Sequence, residues 1–229
     1  MLIGGLQKFS LIDYPGKLCA IIFTQGCNFR CPYCHNPELV LPERFIPSLS
    51  EEEIFSFLDK RKKQLEAVEV TGGEPTLQPD LLSFLAKIKN KGFSVKLDTN
   101  GSFPEIVQKA IRQGVVDYLA MDVKAPLERY QAVTRSKIDP QKIKKTIAII
   151  MKSGLDYEFR TTIVKSQLFL GDFLKIAQLI KGAKLYVLQN FVPAKTLDSL
   201  FQKEDSYSEK ELEKIREQVT PYVKNCLVR

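Results

Sequence analysis

The chain has 229 residues, 44% of them hydrophobic, enough for a packed core and too many for a disordered chain. Its 34 basic and 27 acidic side chains leave a net charge of +7, which suits an anionic cofactor or an acidic electron donor. The basic residues are scattered, however, with one short run at Lys60-Arg61-Lys62-Lys63, so a solvated lysine-rich surface accounts for them and no nucleic-acid partner is expected.

No apolar run approaches the length of a membrane span, and the first eight residues lack the pattern of a signal peptide, so the expectation is a cytoplasmic protein with no membrane partner. Along the chain, short β-branched or aromatic runs alternate with amphipathic stretches of helical length. Six strands are predicted, at 19–24, 67–71, 94–99, 116–123, 157–164 and 184–192, each mostly apolar on both faces as a buried parallel strand is. Between them, Ser50 and Glu53 form a capping box ahead of Ile54, Phe55, Phe57 and Leu58, and Pro79-Asp80 opens a helix over 81–91 that Gly92 closes. Ser102 precedes a helix over 104–113 ended by Gly114, and Asp139-Pro140 starts one that runs to Lys152 before Ser153-Gly154. A further helix is predicted over 172–181, and Ser208 with Glu211 caps the last. Six βα units, with no internal repeat, low-complexity segment or flexible linker, predict a single α/β domain over 1–229. Its parallel sheet is expected to curve into a partial, open (βα)6 barrel, with a helical extension at about 193–229.

Polar motifs gather after the predicted strands, where such folds place their chemistry. The five cysteines are an odd number and three fall within eight residues, which suits metal binding or thiol chemistry better than a disulfide framework. Cys27, Cys31 and Cys34 stand in a C-x3-C-x2-C spacing after the first predicted strand. Thiolates are soft ligands that match an iron–sulfur cluster, and three of them on a four-iron cube leave one iron open. The same residues admit other readings. Cys31-Pro32-Tyr33-Cys34 is also a dithiol redox pattern, which leaves Cys27 idle. Cys31-x-x-Cys34-His35 is formally a haem-attachment signal, which requires export, and the three cysteines with His35 make a possible four-ligand zinc site. Cys19 reads as a small apolar residue of the first strand.

The C-x3-C-x-aromatic-C spacing, with Tyr33 in the aromatic slot, resembles the signature of the radical S-adenosylmethionine (SAM) enzymes. Thr71-Gly72-Gly73-Glu74-Pro75, just after the second predicted strand, resembles that family's glycine-rich motif for the cofactor's amino group. A glycine pair lets the backbone approach a ligand closely, although a tight turn explains three such residues equally well on their own. Asp98-Thr99-Asn100-Gly101 ends the third strand, Met121-Asp122-Val123-Lys124 ends the fourth, and Arg160 lies in the fifth. The stretch Ser10-Leu11-Ile12-Asp13-Tyr14-Pro15-Gly16-Lys17 and the exit Cys34-His35-Asn36-Pro37 narrow the resemblance to activating enzymes of glycyl radical enzymes. It is nearest to those of anaerobic ribonucleoside-triphosphate reductase and extends over 5–192.

The resemblance implies a partial barrel of the radical SAM type carrying one 4Fe–4S cluster. It implies Cys27, Cys31 and Cys34 as the cluster ligands and catalytic residues. Tyr33, Gly72, Gly73, Glu74, Asp98, Asn100, Asp122, Lys124 and Arg160 form the implied SAM-binding set, with a monovalent cation near Asp98 and Asp122. The plain alternative for part of this set is that Asp98 and Asn100 shape a turn and Lys124 is a surface charge. The implied reaction is reductive cleavage of SAM and hydrogen abstraction from a backbone glycine of a glycyl radical enzyme, with flavodoxin or ferredoxin as a low-potential electron donor. The competing activity is that of a radical SAM enzyme acting on a small molecule, such as 7-carboxy-7-deazaguanine synthase. With only Cys19 and Cys226 outside the triad, a second four-cysteine cluster is excluded. Gln189-Asn190-Phe191-Val192-Pro193 lacks the histidine that some relatives place near the adenine, so that contact is unassigned.

Overall fold

In the computed structural model, which describes residues 1–229, the strands are β1 (Ile3–Ser10), β2 (Cys19–Thr24), β3 (Ala67–Gly72), β4 (Ser94–Thr99), β5 (Tyr118–Asp122), β6 (Asp156–Ile163), β7 (Tyr186–Asn190) and β8 (Cys226–Val228). They follow one another in the sheet in chain order, from β1 at one edge to β8 at the other, so the sheet is open. Pairing is parallel for β2–β3, β3–β4, β6–β7 and β7–β8, and antiparallel for β1–β2. The helices are α1 (Pro37–Val40), α2 (Glu51–Arg61), α3 (Leu81–Asn90), α4 (Pro104–Arg112), α5 (Tyr130–Thr134), α6 (Pro140–Met151), α7 (Leu170–Leu179) and α8 (Glu209–Val219). This is the α/β class with an open parallel sheet that the alternation of apolar patterns predicts.

The residues divide into two compact units. The first comprises Met1–Asn28, Glu38–Thr99 and Glu105–Leu119. Here the register sets Cys19 beside Ala67 and Thr24 beside Gly72, so β2 and β3 end level. The Gly73 amide then donates to the Thr24 carbonyl at 2.8 Å and the Glu74 amide to the Gly26 carbonyl at 2.7 Å. Neither glycine can be replaced without displacement: a Cβ on Gly72 would sit 2.3 Å from the Thr24 nitrogen, and one on Gly73 would sit 2.1 Å from the Gly26 oxygen. Gly72 also has φ +115°, a conformation that disfavours every L side chain. The helices of this unit bury stripes at helical spacing: Ile54 and Leu58 on α2, and Leu81, Phe84, Leu85 and Ile88 on α3. Ser50 and Glu53 make the predicted capping box.

A buried cation crosses this core. Lys96 of β4 is 1% exposed, and its Nζ donates to the Asp13 carbonyl at 2.7 Å. It also lies 3.1 Å from Glu69 Oε1 and 3.2 Å from Asp98 Oδ1. Its two acidic partners stand on β3 and β4, so the ammonium neutralises both strands at once.

The second unit comprises Phe29–Pro37, Asn100–Pro104 and Ala120–Arg229. Pairing sets Phe159 beside Tyr186, Arg160 beside Val187, and Tyr186 beside Cys226. Helix α6 opens with the Asp139 carboxylate accepting from the Gln141 amide and with Pro140 at its first position, then buries Ile143, Ile147 and Ile150. Helix α8 has the Ser208–Glu211 capping box and buries Leu212, Ile215 and Val219.

Several boundaries differ from the predicted ones. The strand predicted over 116–123 is Tyr118–Asp122, and that over 184–192 is Tyr186–Asn190. Helix α7 starts at Leu170, ahead of the predicted 172, because Asp172 is its third residue and its carboxylate accepts from the Phe169 amide at 3.0 Å. Strands β1 and β8 are additional to the six predicted. No helix is long and apolar enough to cross a membrane.

Replacing Lys96 by Met leaves the Glu69 and Asp98 carboxylates without their shared cation, and a loss of about 3–5 kcal/mol in unfolding free energy is expected from urea denaturation. Gly73→Ala pushes a methyl group into backbone that has no freedom to yield, and the same measurement is expected to show a loss of about 1–3 kcal/mol.

Candidate functional site

In the first unit, three consecutive strand ends carry the sequence-predicted residues. Cys27 follows β2 by way of Gln25 and Gly26, Gly72-Gly73-Glu74 follow from β3, and Asp98 sits near the end of β4. The close approach that demands the glycine pair is to the chain itself, at Thr24 and Gly26, so these glycines shape the segment entering the cysteine loop. The Glu74 carboxylate is 1% exposed and turned back into its own turn, where Oε1 accepts from the Thr76 amide at 3.1 Å, the Thr76 hydroxyl and the Thr99 hydroxyl at 2.8 Å. These contacts give Glu74 a task in holding the loop. Asp98, 5% exposed, accepts from the Thr71 hydroxyl at 3.3 Å in addition to its pairing with Lys96.

In the second unit, Cys31 and Cys34 lie on a turn closed by a 3.0 Å bond from the Cys34 amide to the Cys31 carbonyl. Three further backbone bonds hold that loop: Arg30 N to Thr134 O at 2.9 Å, Asp198 N to Pro32 O at 2.9 Å and Leu197 N to Cys34 O at 2.9 Å. Arg135, the one non-glycine residue with positive φ, reaches Asp198 Oδ2 with Nη1 at 2.8 Å and ties the segment after α5 to the same clamp. Cys31 and Tyr33 are buried, and Cys27 and Cys34 are half-buried. Burial pushes the Cys31 thiol up to about 11, against the pull of the Lys124 ammonium.

The same unit brings three of the predicted charged residues together. Arg160 Nε donates to Asp122 Oδ1 at 2.8 Å and Lys124 Nζ to Asp122 Oδ2 at 3.1 Å. Burial alone would raise the Asp122 carboxyl, yet Arg160 and Lys124 hold it well below the usual carboxylate range. Burial likewise opposes the charge on Lys124, and Asp122 outweighs it. Asp122 and Lys124 therefore stay ionised at physiological pH. Tyr130, which the sequence did not single out, accepts from the Lys124 amide and donates to the Asp122 carbonyl, each at 3.3 Å. Its ring meets Phe29 of the cysteine loop edge-on at 6.1 Å. Asn100 uses its side-chain oxygen locally, accepting from the Ser102 amide at 3.0 Å and hydroxyl at 2.6 Å.

His35 faces elsewhere: its Nε2 lies 3.0 Å from the Val192 carbonyl and its ring stacks on Phe191 at 5.4 Å. The fourth ligand that a zinc site would need is thus held against β7's exit. Cys19 is buried among Tyr14, Ile21, Ala67 and Tyr118, an apolar setting that pushes its thiol up to about 11. All five cysteines are free thiols. The two soft thiols on the pinned Cys31–Cys34 turn, with the Lys124 ammonium acting on Cys31, suit the chemistry of an iron–sulfur cluster.

The sequence model of the Radical SAM superfamily matches residues 21–180. A Methanocaldococcus jannaschii protein named as a glycyl-radical enzyme activating enzyme is 36% identical over 233 aligned residues, covering 100% of this chain and 95% of that protein. The pyruvate formate-lyase-activating enzyme of Listeria monocytogenes is 32% identical over 147 residues, covering 57% of each. Among solved structures, SuiB of Streptococcus suis bound to S-adenosylmethionine has a TM-score of 0.69 at 16% identity, over 91% of this chain and 49% of SuiB. Coproporphyrinogen III oxidase of Escherichia coli, described as a radical SAM enzyme, has a TM-score of 0.57 at 14% identity, over 92% of this chain and 53% of that one. This chain spans about half the length of both structures, and the likeness at such identities is one of fold. Fold and sequence agree, and the chain belongs to the radical SAM superfamily of enzymes.

Proposed function

We propose that this chain is an activating enzyme, working in the cytoplasm, that reductively cleaves SAM and abstracts a hydrogen from a backbone glycine of a glycyl radical enzyme. The partner in this reading is anaerobic ribonucleoside-triphosphate reductase. The observation that carries the activating reading is the match over the whole chain, at 36% identity, to the M. jannaschii protein named as a glycyl-radical enzyme activating enzyme, while the choice of partner rests on the motifs at Ser10–Lys17 and Cys34–Pro37. Membership of the superfamily implies a 4Fe–4S cluster and SAM. When bound, these supply an electron and a cleavable carbon–sulfur bond, so that methionine and 5′-deoxyadenosine leave and the partner glycine keeps the unpaired electron.

The protein's part is ligation, orientation and charge. Cys27, Cys31 and Cys34 would each hold one iron, and the backbone clamp on residues 30–34 presets two of those thiols. Ligation of Cys31 at neutral pH must displace its proton, since burial keeps the free thiol protonated. Gly72, Gly73 and Glu74 would fix the turn beside Gly26, leaving its backbone as the group that meets the cofactor's amino end. Lys124 and Arg160 would bind the carboxylate of the cofactor's methionine part, with Asp122 keeping both side chains in place. Tyr33 would pack its buried ring under the loop, and Asn100 would act through the shape of its turn.

A monovalent cation at Asp98 would share that carboxylate with Lys96, and one at Asp122 would share it with Lys124 and Arg160. Flavodoxin or ferredoxin would deliver the electron, and the +7 charge favours such acidic donors.

Replacing Cys27, Cys31 or Cys34 by Ala is expected to abolish SAM cleavage by the anaerobically reconstituted protein, whereas Cys19→Ala retains it. Product analysis of 5′-deoxyadenosine reads both results, and cleavage by any of the triad variants would sink the ligand assignment. Mixed under reducing, oxygen-free conditions with anaerobic ribonucleoside-triphosphate reductase, the wild-type protein is expected to raise a glycine-centred EPR signal on the reductase. Turnover of a purine-like small molecule with no glycyl signal would overturn the activating reading.

A further inference from the structure

Within the second unit, the Asp122 carboxylate is not the only one near Arg160. Glu158 lies two residues earlier on β6, on the same face of the strand, and is fully buried. Its Oε1 is 3.9 Å from Arg160 Nη1, while Arg160 Nε holds Asp122 Oδ1 at 2.8 Å. A single guanidinium thus stands between two carboxylates. On the far side of Glu158, Arg229 Nη2 lies 3.4 Å from Oε2. The resulting row of side chains runs Lys124, Asp122, Arg160, Glu158, Arg229, with signs alternating.

We propose that Arg229 is a positioning residue for SAM: by sharing Glu158 it keeps the Arg160 guanidinium directed at Asp122. The inference rests on the reading that Lys124 and Arg160 bind the cofactor. Glu158 is buried and its charge requires cationic partners. Without Arg229 it pulls harder on Arg160, turning that guanidinium along β6 away from Asp122. The backbone of Arg229 is anchored separately, its amide donating to the Leu188 carbonyl at 2.9 Å and its main-chain oxygen accepting from the Asn190 amide at 2.8 Å. A change of side chain therefore leaves the ladder beside β7 intact.

The test is SAM binding to the cluster-reconstituted protein by equilibrium dialysis, a readout independent of turnover. Arg229→Met is expected to weaken binding roughly tenfold, as loss of an outer partner does around bound groups. Adding Glu158→Gln to that variant removes the competing carboxylate and is expected to restore affinity to within about twofold of wild type, as is Glu158→Gln alone. Arg229→Lys, which keeps the cation, is expected to lie between wild type and Arg229→Met. Recovery of the melting temperature of the cluster-free protein in the double variant reads the Arg229–Glu158 pair with nothing bound. Wild-type affinity in Arg229→Met, or no recovery in the double variant, overturns the proposal while leaving the cofactor reading intact. Unchanged affinity in Arg160→Met overturns both.

Discussion

Two backbone hydrogen bonds, from Gly73 to Thr24 and from Glu74 to Gly26, fasten the turn after β3 to the turn that leads into Cys27. They exist because parallel pairing sets Thr24 level with Gly72, so both strands release their chains at the same height. Parallel strands with level ends put their outgoing loops side by side, and here that geometry leaves no room for a side chain at either glycine. Glu74 completes the arrangement by gathering two hydroxyls and an amide onto one buried oxygen. The first cysteine is thus approached by a backbone of fixed course, without needing a side-chain scaffold of its own.

The second unit solves a different problem, holding ions in a partly buried place. Asp122 between Lys124 and Arg160 gains from attraction what burial takes away, and such a trio adds less to stability than its short distances suggest. What it provides is orientation: each partner's position is defined by the others. Tyr130 carries this order to the backbone, bridging the Lys124 amide and the Asp122 carbonyl while its ring lies against Phe29. The charged row and the cysteine turn are therefore built into one packed neighbourhood.

Much of this was legible in the chain. Strands β2 to β7 announce themselves because apolar side chains cover both faces, and the helices because Ser50, Asp139 and Ser208 stand at the caps they form. Strand β1 is hidden by the Gly4-Gly5 pair and by an exposed Gln7-Lys8-Phe9 stretch, which read as a loop until pairing with β2 supplies the order. Strand β8 is three residues long and owes its conformation to β7. The cysteine spacing and Gly-Gly-Glu are local patterns, readable at a glance. The partners of Glu74 at Thr99, of Pro32 at Asp198 and of Glu158 at Arg229 are not, because each contact joins distant positions whose pairing only the folded chain defines. For the same reason the steric need for glycine beside Thr24 and Gly26 shows only once β2 and β3 are paired.

The clamp of Leu197 and Asp198 on the carbonyls of Cys34 and Pro32 also bears on timing. During synthesis Cys34 emerges long before Asp198, and at ordinary elongation rates the interval is roughly 8–30 s. Throughout it, the turn carrying Cys31 and Cys34 lacks two of the bonds that define it, and the thiols belong to a nascent chain of uncertain shape. The turn takes its final form only once Leu197 and Asp198 have docked on it. The geometry of the two thiols thus depends on a contact that spans most of the chain's length.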